Sequence, residues 1–266
     1  MCYSRNVLDG LAEKIVIVTG ASGGIGAACA EAFAAAKCRV ALAARDEAKL
    51  NASAERIASK RGQALAVVCD VTHRDEVQNL GARIRDLWGE ADVLVNCAGI
   101  AQAARFTDMA DELWDRTVET NLTGAYNCCK AFLPGMARSR WGRIINIAST
   151  AAKVGYPHVA AYTSSKHGLL GLTRSLALET ARQGITVNAI CPGYVDDERT
   201  RENARAMAEK TGKPIDEILR LFAASAPQNR LIAPTEVAAL AVFIASGKLG
   251  GMTGQAINVD GGAVMV

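Results

Sequence analysis

Several features that mark other protein classes are absent from this 266-residue sequence. No apolar stretch is as long as a membrane-spanning helix, so we expect no membrane partner. Basic residues form no run or aromatic-interleaved patch, and the net charge is only +3, so we expect no nucleic-acid partner. The segment 1–14 contains no hydrophobic signal core, and the sequence therefore predicts a cytoplasmic protein.

Cysteine spacing argues against metal and disulfide sites. None of the eight cysteines forms a Cys-x-x-Cys pair, and most have apolar neighbours, as small buried hydrophobic residues do. Cys97 lies beside a candidate cofactor loop, where oxidation is an alternative to the packing role that we favour. The chain has no linker or solenoid-length repeat, and one α/β unit can reach its length, so we expect one domain over 1–266.

Seven apolar runs rich in Val and Ile alternate with amphipathic stretches. Nearly continuous apolar runs are typical of parallel strands that are covered on both faces. Repeated β-α-β units with right-handed crossovers predict an α/β fold, a doubly wound Rossmann-type parallel sheet of about seven strands with helices on both faces. The predicted strands are 14–19, 39–44, 64–69, 92–96, 143–149, 185–191 and 255–259.

One irregular region, 193–233, separates the last two predicted strands. It contains two helical patterns, at about 198–211 and 214–224. An insertion of this size usually forms a lid or a binding loop, so we expect a lid-like helical insertion at about 194–226. A solvated helical hairpin is the alternative.

Three arginines, Arg199, Arg201 and Arg205, lie in this lid candidate. They could meet a carboxylate, a CoA phosphate or a carrier protein. The alternative is a solvated helix face, because neighbouring glutamates dilute the positive charge.

A glycine-rich loop, TGASGGIG at 19–26, joins the first predicted strand to an alanine-rich helix. Gly20 can take a sharp turn, Gly24 lets the backbone approach a phosphate, and Gly26 permits close helix packing. The helix N-terminus offers free N–H groups and the positive end of its dipole to a pyrophosphate. The sequence therefore predicts dinucleotide binding, with a purely structural turn as the alternative.

The end of the second strand favours NADP(H), although NAD(H) is possible. Ala44 cannot accept a ribose hydroxyl, whereas the Arg45 guanidinium can pair with a 2′-phosphate, and Ser22 could add a hydrogen bond. Asp46 leaves two alternatives open: it could cap the next helix, or it could be a ribose-binding acid displaced by one position.

The candidate catalytic group is a serine, a tyrosine and a lysine in the segment 145–166. Ser149 ends a strand pattern, Tyr162 follows after thirteen residues, and Lys166 lies four residues further on. Positions i and i+4 share a helix face, so the phenol and the ammonium can point the same way. A hydroxyl, a phenol and a cation suit proton donation to a carbonyl oxygen.

The same Tyr-x-x-x-Lys spacing occurs at Tyr126 and Lys130, so the spacing alone is not decisive. Thirteen residues before Tyr126 lies Leu113, which has no hydroxyl and belongs to a helical pattern. Only the later pair has a hydroxyl at a strand end, and we therefore assign function to that one.

Taken together, these motifs resemble the short-chain dehydrogenase/reductase family. They span nearly the whole chain in the order that the family has. The matching motifs are TGASGGIG at 19–26, CDV at 69–71, NCAG at 96–99, Asn121, Ser149, YTSSK at 162–166, PG at 192–193 and VDGG at 259–262.

The resemblance implies four catalytic residues, Asn121, Ser149, Tyr162 and Lys166. Tyr162 would donate the proton, Lys166 would stabilise its phenolate and hold the nicotinamide ribose, and Ser149 would bind the carbonyl oxygen. Asn121 would shape its helix and hold a water in the proton path.

The resemblance also extends the set of expected cofactor contacts. Asp70 would contact the adenine amino group, the 96–99 turn would support the sheet and the adenosine ribose, and residues after the sixth strand would border the nicotinamide. The complete set is Gly20, Ser22, Gly24, Ile25, Gly26, Arg45, Asp70, Val71, Asn96, Ala98, Gly99, Tyr162, Lys166, Pro192, Gly193 and Val195.

Two positions depart from the family pattern. Cys97 replaces a common second asparagine, and Asp197 stands where many members have a threonine that bonds the nicotinamide carboxamide. Thr200 is the nearest hydroxyl, so the carboxamide contact is open.

Within the family, segments 111–124 and 147–168 most resemble aromatic-polyketide ketoreductases. The wider resemblance includes β-ketoacyl reductases and 3-hydroxyacid dehydrogenases. It implies an NADP(H)-dependent oxidoreductase for a small-molecule or acyl-thioester ketone, and a homotetramer. An NAD-dependent secondary-alcohol or 3-hydroxyacid dehydrogenase is the alternative. A non-enzymatic dinucleotide sensor is disfavoured because the serine, tyrosine and lysine are all present.

Overall fold

The computed structural model describes residues 10–266, and its centre is one parallel sheet with the strand order β3-β2-β1-β4-β5-β6-β7. Residues 1–9, which include Cys2 and most of the segment behind the localisation expectation, lie outside the described residues. The strands are β1 Ile15–Thr19, β2 Arg39–Ala44, β3 Gln63–Val68, β4 Val93–Asn96, β5 Gly142–Ile147, β6 Ile185–Pro192 and β7 Ala256–Val259. All seven predicted strands and the doubly wound fold are confirmed.

Helices connect these strands, as the amphipathic stretches between the apolar runs predict. Within the described part of the chain they are α1 Gly24–Ala35, α2 Glu47–Ser59, α3 Arg74–Leu87, α4 Asp111–Val118, α5 Gly124–Ser139, α6 Ala160–Thr180, α7 Glu198–Thr211, α8 Ile215–Ala224 and α9 Pro234–Ala245. Both helices predicted for the region 193–233 are present as α7 and α8. None of the helices in 10–266 is long and apolar enough to cross a bilayer.

Both faces of the sheet are buried because alternate side chains of each strand point to opposite sides. Val16 and Val18 of β1 belong to the core layer that contains α1 and α9, whereas Ile15 and Ile17 belong to the layer that contains α3 and α5. Each fully buried side chain of this size contributes about 1.5–3 kcal/mol relative to an exposed one. The two apolar layers therefore hold the strand ends, where the site lies, in a fixed arrangement.

The strand order reverses direction between β1 and β4, which are parallel neighbours. In open α/β sheets, ligands bind at such a point, outside the carboxyl ends of the strands. The Thr19 hydroxyl accepts hydrogen bonds there from the N–H groups of Cys97 and Ala98, at 3.0 and 3.1 Å. This contact holds the loops after β1 and β4 together at the mouth of the crevice.

Candidate active site

Tyr162 and Lys166 lie one turn apart in α6, on the face that packs near the end of β5. Lys166 is only 4% exposed, and its Nζ donates a hydrogen bond to the carbonyl oxygen of Ile147 at 2.8 Å. The same Nζ lies 5.8 Å from the centroid of the Tyr162 ring. The end of β5 thus fixes the ammonium beside the phenol.

Burial changes the acidity of both groups. It lowers the pKa of Lys166 to about 8, and the positive charge of Arg199 acts in the same direction. Burial also raises the pKa of Tyr162, against the opposite effects of a side-chain hydrogen bond with Ser149 and of the Arg199 charge. At neutral pH the pair is therefore a phenol beside an ammonium that loses its proton more easily than an exposed lysine does.

Ser149 combines a structural contact with a contact to the phenol. Strand β5 ends at Ile147, two residues earlier than predicted, because Ser149 caps the short 3₁₀ turn Thr150–Ala152. Its Oγ accepts a hydrogen bond from the Ala151 N–H at 3.1 Å. A hydroxyl has one donor and two acceptor sites, so this cap leaves capacity for the bond with Tyr162.

Asn121 lies in a π turn, Glu119–Thr123, between α4 and α5, and it is 1% exposed. Its Oδ1 accepts from the Ile100 N–H at 2.8 Å, and its Nδ2 donates to the Ile100 carbonyl at 2.9 Å and to Ser165 Oγ at 3.0 Å. Single π turns inside helices often mark functional sites. Asn121 joins the segment after β4 to α6, and its role in a proton path stays a prediction.

The second Tyr-x-x-x-Lys pair has nearly the same separation, 5.6 Å from Lys130 Nζ to the centroid of the Tyr126 ring, in a different setting. On α5, Lys130 Nζ donates to the Tyr126 hydroxyl at 3.1 Å, and the lysine is exposed. Leu113, the residue at the position of the serine, is buried in α4. The position at the strand ends, rather than the Tyr–Lys distance, distinguishes Tyr162 and Lys166.

The glycine-rich loop closes on itself at the start of α1. Gly20 has φ +65°, and a Cβ there would lie 2.9 Å from the Ala98 backbone. A Cβ on Gly26 would lie 2.2 Å from the Gly20 carbonyl oxygen, so the loop itself, rather than a second helix, requires this glycine. Among the described residues, no side chain caps the helix N-terminus at Gly23. The cradle and the free N–H groups fit an anionic group such as a diphosphate, next to Ser22 and Ile25.

The residues after β2 and β3 meet on the side of the crevice that is away from Tyr162 and Lys166. The exposed Arg45 places Nη1 3.6 Å from Asp70 Oδ2. Burial raises the pKa of Asp70, but hydrogen bonds from Thr72 and the charge of Arg45 outweigh it and lower that pKa. Asp46 caps α2 by accepting from the Lys49 N–H at 3.0 Å, so the capping alternative is confirmed.

A series of buried side-chain hydrogen bonds lies beneath the site, within the sheet and α6, and the sequence did not predict it. Asn96 Nδ2 donates to Asn146 Oδ1 at 2.9 Å, and Asn146 Nδ2 donates to Thr173 Oγ1 at 2.8 Å. The chain links β4, β5 and α6 because Asn96 and Asn146 are paired neighbours in the sheet. The signal in the sequence is an asparagine inside an apolar strand, where a polar side chain needs a partner.

Comparison with known proteins gives the family. Residues 20–264 match a family model described as enoyl-(acyl carrier protein) reductase. A putative ketoacyl reductase of Streptomyces coelicolor is 38% identical over 94% of this chain and 97% of its own length. The chain belongs to the short-chain dehydrogenase/reductase family. It is therefore an oxidoreductase of this family, as the motifs predicted.

Other members of the family show the range of activities among its relatives. A D-beta-hydroxybutyrate dehydrogenase of Cupriavidus necator is 37% identical over 94% of this chain and 98% of its own length. The crystal structure of a substituted actinorhodin polyketide ketoreductase with NADPH matches with a TM-score of 0.92 and 37% identity, covering 94% of this chain and 97% of that one. The relatives thus include both reductases and a dehydrogenase.

In this short-chain dehydrogenase/reductase, the segment after β6 turns towards the glycine-rich loop. Pro192 ends β6, Gly193 lies against Asp260, and the buried Val195 pairs with Ile232 in an isolated bridge. Helix α7 begins three residues later, at Glu198. These contacts hold the segment at the carboxyl end of β6, where the resemblance places the nicotinamide.

Asp197 is the departure from the family pattern with the clearest structural consequence. It caps α7, since its Oδ1 accepts from the Thr200 N–H at 3.0 Å, and its Oδ2 lies 2.8 Å from the position that a Cβ on Gly24 would take. Thr200, the alternative hydroxyl, is buried. A carboxylate therefore lies against the glycine-rich loop. The sequence did not predict this contact, because Asp197 and Gly24 are far apart in the chain.

Cys97 supports the packing interpretation. Its thiol is buried in the core layer around β1 and β4, and burial raises its pKa to about 11. Since the thiolate is the form that is oxidised, a buried thiol with this pKa is unreactive near neutral pH.

Proposed function

We propose that the protein is an NADP(H)-dependent oxidoreductase that interconverts a ketone and a secondary alcohol by hydride transfer, with Tyr162 as general acid and base. The observation that carries the proposal is the buried Lys166 ammonium, which is bonded to the end of β5 and lies 5.8 Å from the centroid of the Tyr162 ring, with Ser149 near enough to lower the pKa of that phenol. These groups lie at the carboxyl ends of the strands, next to a loop suited to a diphosphate. The names of the relatives, ketoacyl reductase among them, support the reaction class.

The proposed chemistry assigns one task to each side chain. A bound nicotinamide supplies or accepts the hydride, so the protein has to orient the substrate and move a proton. In reduction, negative charge grows on the carbonyl oxygen, Ser149 donates a hydrogen bond to it, and Tyr162 transfers its proton. A donor aimed at such developing charge typically lowers the barrier by ~3–4 kcal/mol. Lys166 stabilises the phenolate that remains.

The cofactor contacts that we propose follow the crevice from one side of the sheet to the other. The free N–H groups at the start of α1 would hold the diphosphate, and Arg45 would pair with the 2′-phosphate. Asp70 lies close enough to Arg45 to orient it. Lys166 would hold the nicotinamide ribose, and the segment Pro192–Val195 would border the ring.

A test of the reaction is a panel of ketones and β-ketoacyl thioesters, followed by NADPH absorbance. We expect saturable NADPH oxidation with at least one carbonyl compound. Cofactor binding without turnover of any ketone, in either direction, would contradict the proposal. The same panel distinguishes free from thioester-linked substrates.

An NAD-dependent dehydrogenase of secondary alcohols or 3-hydroxyacids is the second candidate. It is supported by the likeness to D-beta-hydroxybutyrate dehydrogenases and by the position of Asp70, whose charge partly neutralises Arg45. Affinities for NADPH and NADH, measured in the parent and in Arg45→Ala, separate the candidates. The first requires an NADP(H) preference that the substitution removes.

Assembly is a further part of the proposal. Following the family resemblance, we propose a homotetramer, and size-exclusion chromatography with light scattering would test it.

A further inference from the structure

The three arginines of the lid helix α7 have different partners. Arg201 forms an ion pair with Asp196, and Arg205 pairs with Glu198 at 2.7 Å. Arg199 has no acidic partner within ion-pair distance among residues 10–266. It is the second residue of α7, directly after the turn that leads from β6 to the lid. This cation of the lid can therefore meet a ligand.

The positive charge of Arg199 also lies near buried groups that line the crevice. Burial is the main cause of the pKa shifts of Lys166, Tyr162 and Cys97, and in each of them Arg199 is a further cause that lowers the pKa. These groups lie on α6 and at the end of β4, on two sides of the crevice. Arg199 follows Asp197 by two residues in the first turn of α7, and Asp197 lies against Gly24, so the Arg199 side chain starts close to the glycine-rich loop.

The negative charge of Asp197 makes a nearby positive charge favourable when a diphosphate is bound. Its carboxylate lies 2.8 Å from the position of a Cβ on Gly24, in the loop that fits a diphosphate. Two anions so close together repel each other, and the repulsion is stronger where water is excluded. A threonine at this position, as the family pattern has, would carry no charge. A diphosphate beside Asp197 therefore needs a positive partner in addition to the helix N-terminus.

We propose that Arg199 binds the diphosphate of the dinucleotide cofactor and offsets the carboxylate that Asp197 places against the glycine-rich loop. This inference rests on the proposed function, because it requires that a dinucleotide binds in the crevice. Arginine is suited to the role because its planar guanidinium can donate two parallel hydrogen bonds to phosphate oxygens. The lid helix would then take part in cofactor binding as well as in covering the substrate.

A substrate carboxylate is the competing occupant, and the position of Asp197 argues against it. The acid that Arg199 has to offset lies at Gly24, on the side of the crevice where the diphosphate belongs. We therefore assign Arg199 to the binding of the cofactor diphosphate. Binding of a substrate carboxylate instead is one of the outcomes that the test distinguishes.

The test measures binding without turnover. Dissociation constants for NADPH and for ADP-ribose are determined by fluorescence titration and competition in the full-length parent, R199Q and R45Q. ADP-ribose carries the diphosphate but neither the nicotinamide nor the 2′-phosphate. R201Q and R205Q are the matched controls, since each removes a paired arginine of the same helix. Melting temperatures verify that every variant is folded.

The proposal predicts that R199Q weakens both NADPH and ADP-ribose by at least about tenfold, the scale of one charge-assisted hydrogen bond. R45Q should weaken NADPH and leave ADP-ribose unchanged, and the two controls should change neither. Adding Asp197→Asn to R199Q should recover part of the lost affinity, because it removes the uncompensated carboxylate.

Two results would overturn the inference while leaving the proposed function standing. One is parent-like affinity of R199Q for both ligands, including the case in which only KM for an acidic ketone rises. The other is weakened NADPH binding with unchanged ADP-ribose binding, which would move the contact to the nicotinamide end. A parent protein that binds neither NADPH nor NADH would instead refute the proposed function, and this inference with it.

Discussion

At the scale of single residues, two tyrosine–lysine pairs with the same spacing differ in what surrounds them. Lys130 donates a hydrogen bond to the Tyr126 hydroxyl at 3.1 Å on an exposed part of α5. Lys166 is buried and bonded to the end of β5, and Tyr162 meets a serine. The two pairs therefore form a matched comparison between a candidate catalytic phenol and a surface phenol.

Removing the hydroxyl of Tyr162 tests its role directly. Tyr162→Phe keeps the ring but has no proton to donate, so we expect turnover to fall by about 10²–10⁴-fold, the usual contribution of a general acid. Tyr126→Phe is the control and should leave turnover unchanged. Steady-state kinetics with NADPH provide the measurement, and cofactor binding is verified by fluorescence.

Turnover of Tyr162→Phe within about tenfold of the parent, with cofactor still bound, would refute the general-acid role.

The lowered pKa of Lys166 predicts a pH-dependent stability. Burial holds this pKa at about 8 in the folded chain, whereas an unfolded lysine has a pKa of about 10.4. Between these values the unfolded chain binds more protons, so the contribution of Lys166 to stability rises with pH. Below about pH 8 both states carry the charge, and the full cost of burying it is present.

Urea denaturation of the parent and of Lys166→Met measures this contribution. Met retains an apolar stem of similar length and has no charge to bury. We expect the stability of Lys166→Met relative to the parent to fall by roughly 2 kcal/mol from about pH 7 to about pH 9.5. The comparison cancels the opposite effect of the buried cysteines, which both proteins share. An equal stability difference at both pH values would contradict the lowered pKa.

At the scale of elements, the helical insertion that we expect to act as a lid is attached to the end of β6 through an aromatic contact. Tyr194 follows β6, and its ring stacks on Phe222 of α8 with centroids 4.4 Å apart and an angle of 3° between the planes. The pKa of Tyr194 is raised by burial, with Tyr156 and Tyr162 as neighbouring causes. The stack therefore lies near Tyr162, the candidate catalytic phenol, and connects α8 to the segment after β6.

Loosening this stack should affect the substrate more than the cofactor. An aromatic pair contributes about 0.5–1.5 kcal/mol beyond area burial, so Phe222→Ala should raise KM for the ketone by about two- to tenfold. The exposed Arg220 on the same helix gives the control, since Arg220→Ala leaves the stack intact. A KM like that of the parent, measured by NADPH absorbance, would show that the lid is held by other contacts.

At the scale of the whole molecule, the proposed cofactor would lie across the ends of several strands at once. A ligand that binds only the folded chain stabilises it by RT ln(1 + [L]/Kd), about 2.7 kcal/mol at a hundredfold excess over Kd. For a chain of this size, we expect saturating NADPH to raise Tm by about 5 °C or more. Differential scanning fluorimetry measures the shift, with adenosine as the control. An unchanged Tm with both NADPH and NADH would contradict binding in the crevice.

The fold could be predicted from the sequence because the sheet is covered on both sides. Apolar strands such as β1 and β2 are visible as continuous runs, and the structure confirms them nearly residue for residue. The predicted fifth strand extended two residues beyond the observed end of β5. The reason is local, because Ser149, which caps the next turn, follows the apolar run directly. Helices α7 and α8 could also be predicted, because each has a helical pattern within its own segment of the sequence.

Contacts between distant segments could not be predicted in this way. The approach of Asp197 to Gly24 and the bond between Asn146 and Thr173 join segments far apart in the chain, so no local pattern encodes them. The roles assigned to the catalytic and cofactor-binding residues stay predictions. Family membership is confirmed, because the family model matches residues 20–264 and relatives are similar over almost the entire chain.

The burial of cysteine has a practical consequence for following motion in this enzyme. The seven cysteines from Cys29 to Cys191 are all free and buried, so an alkylating reagent can reach each of them only when its surroundings open. Cys97, beside the crevice, would report openings of the ligand-binding edge, and Cys38, at the start of β2, would report openings of the opposite edge. The native chain thus carries its own set of probes for local breathing, without any introduced label site.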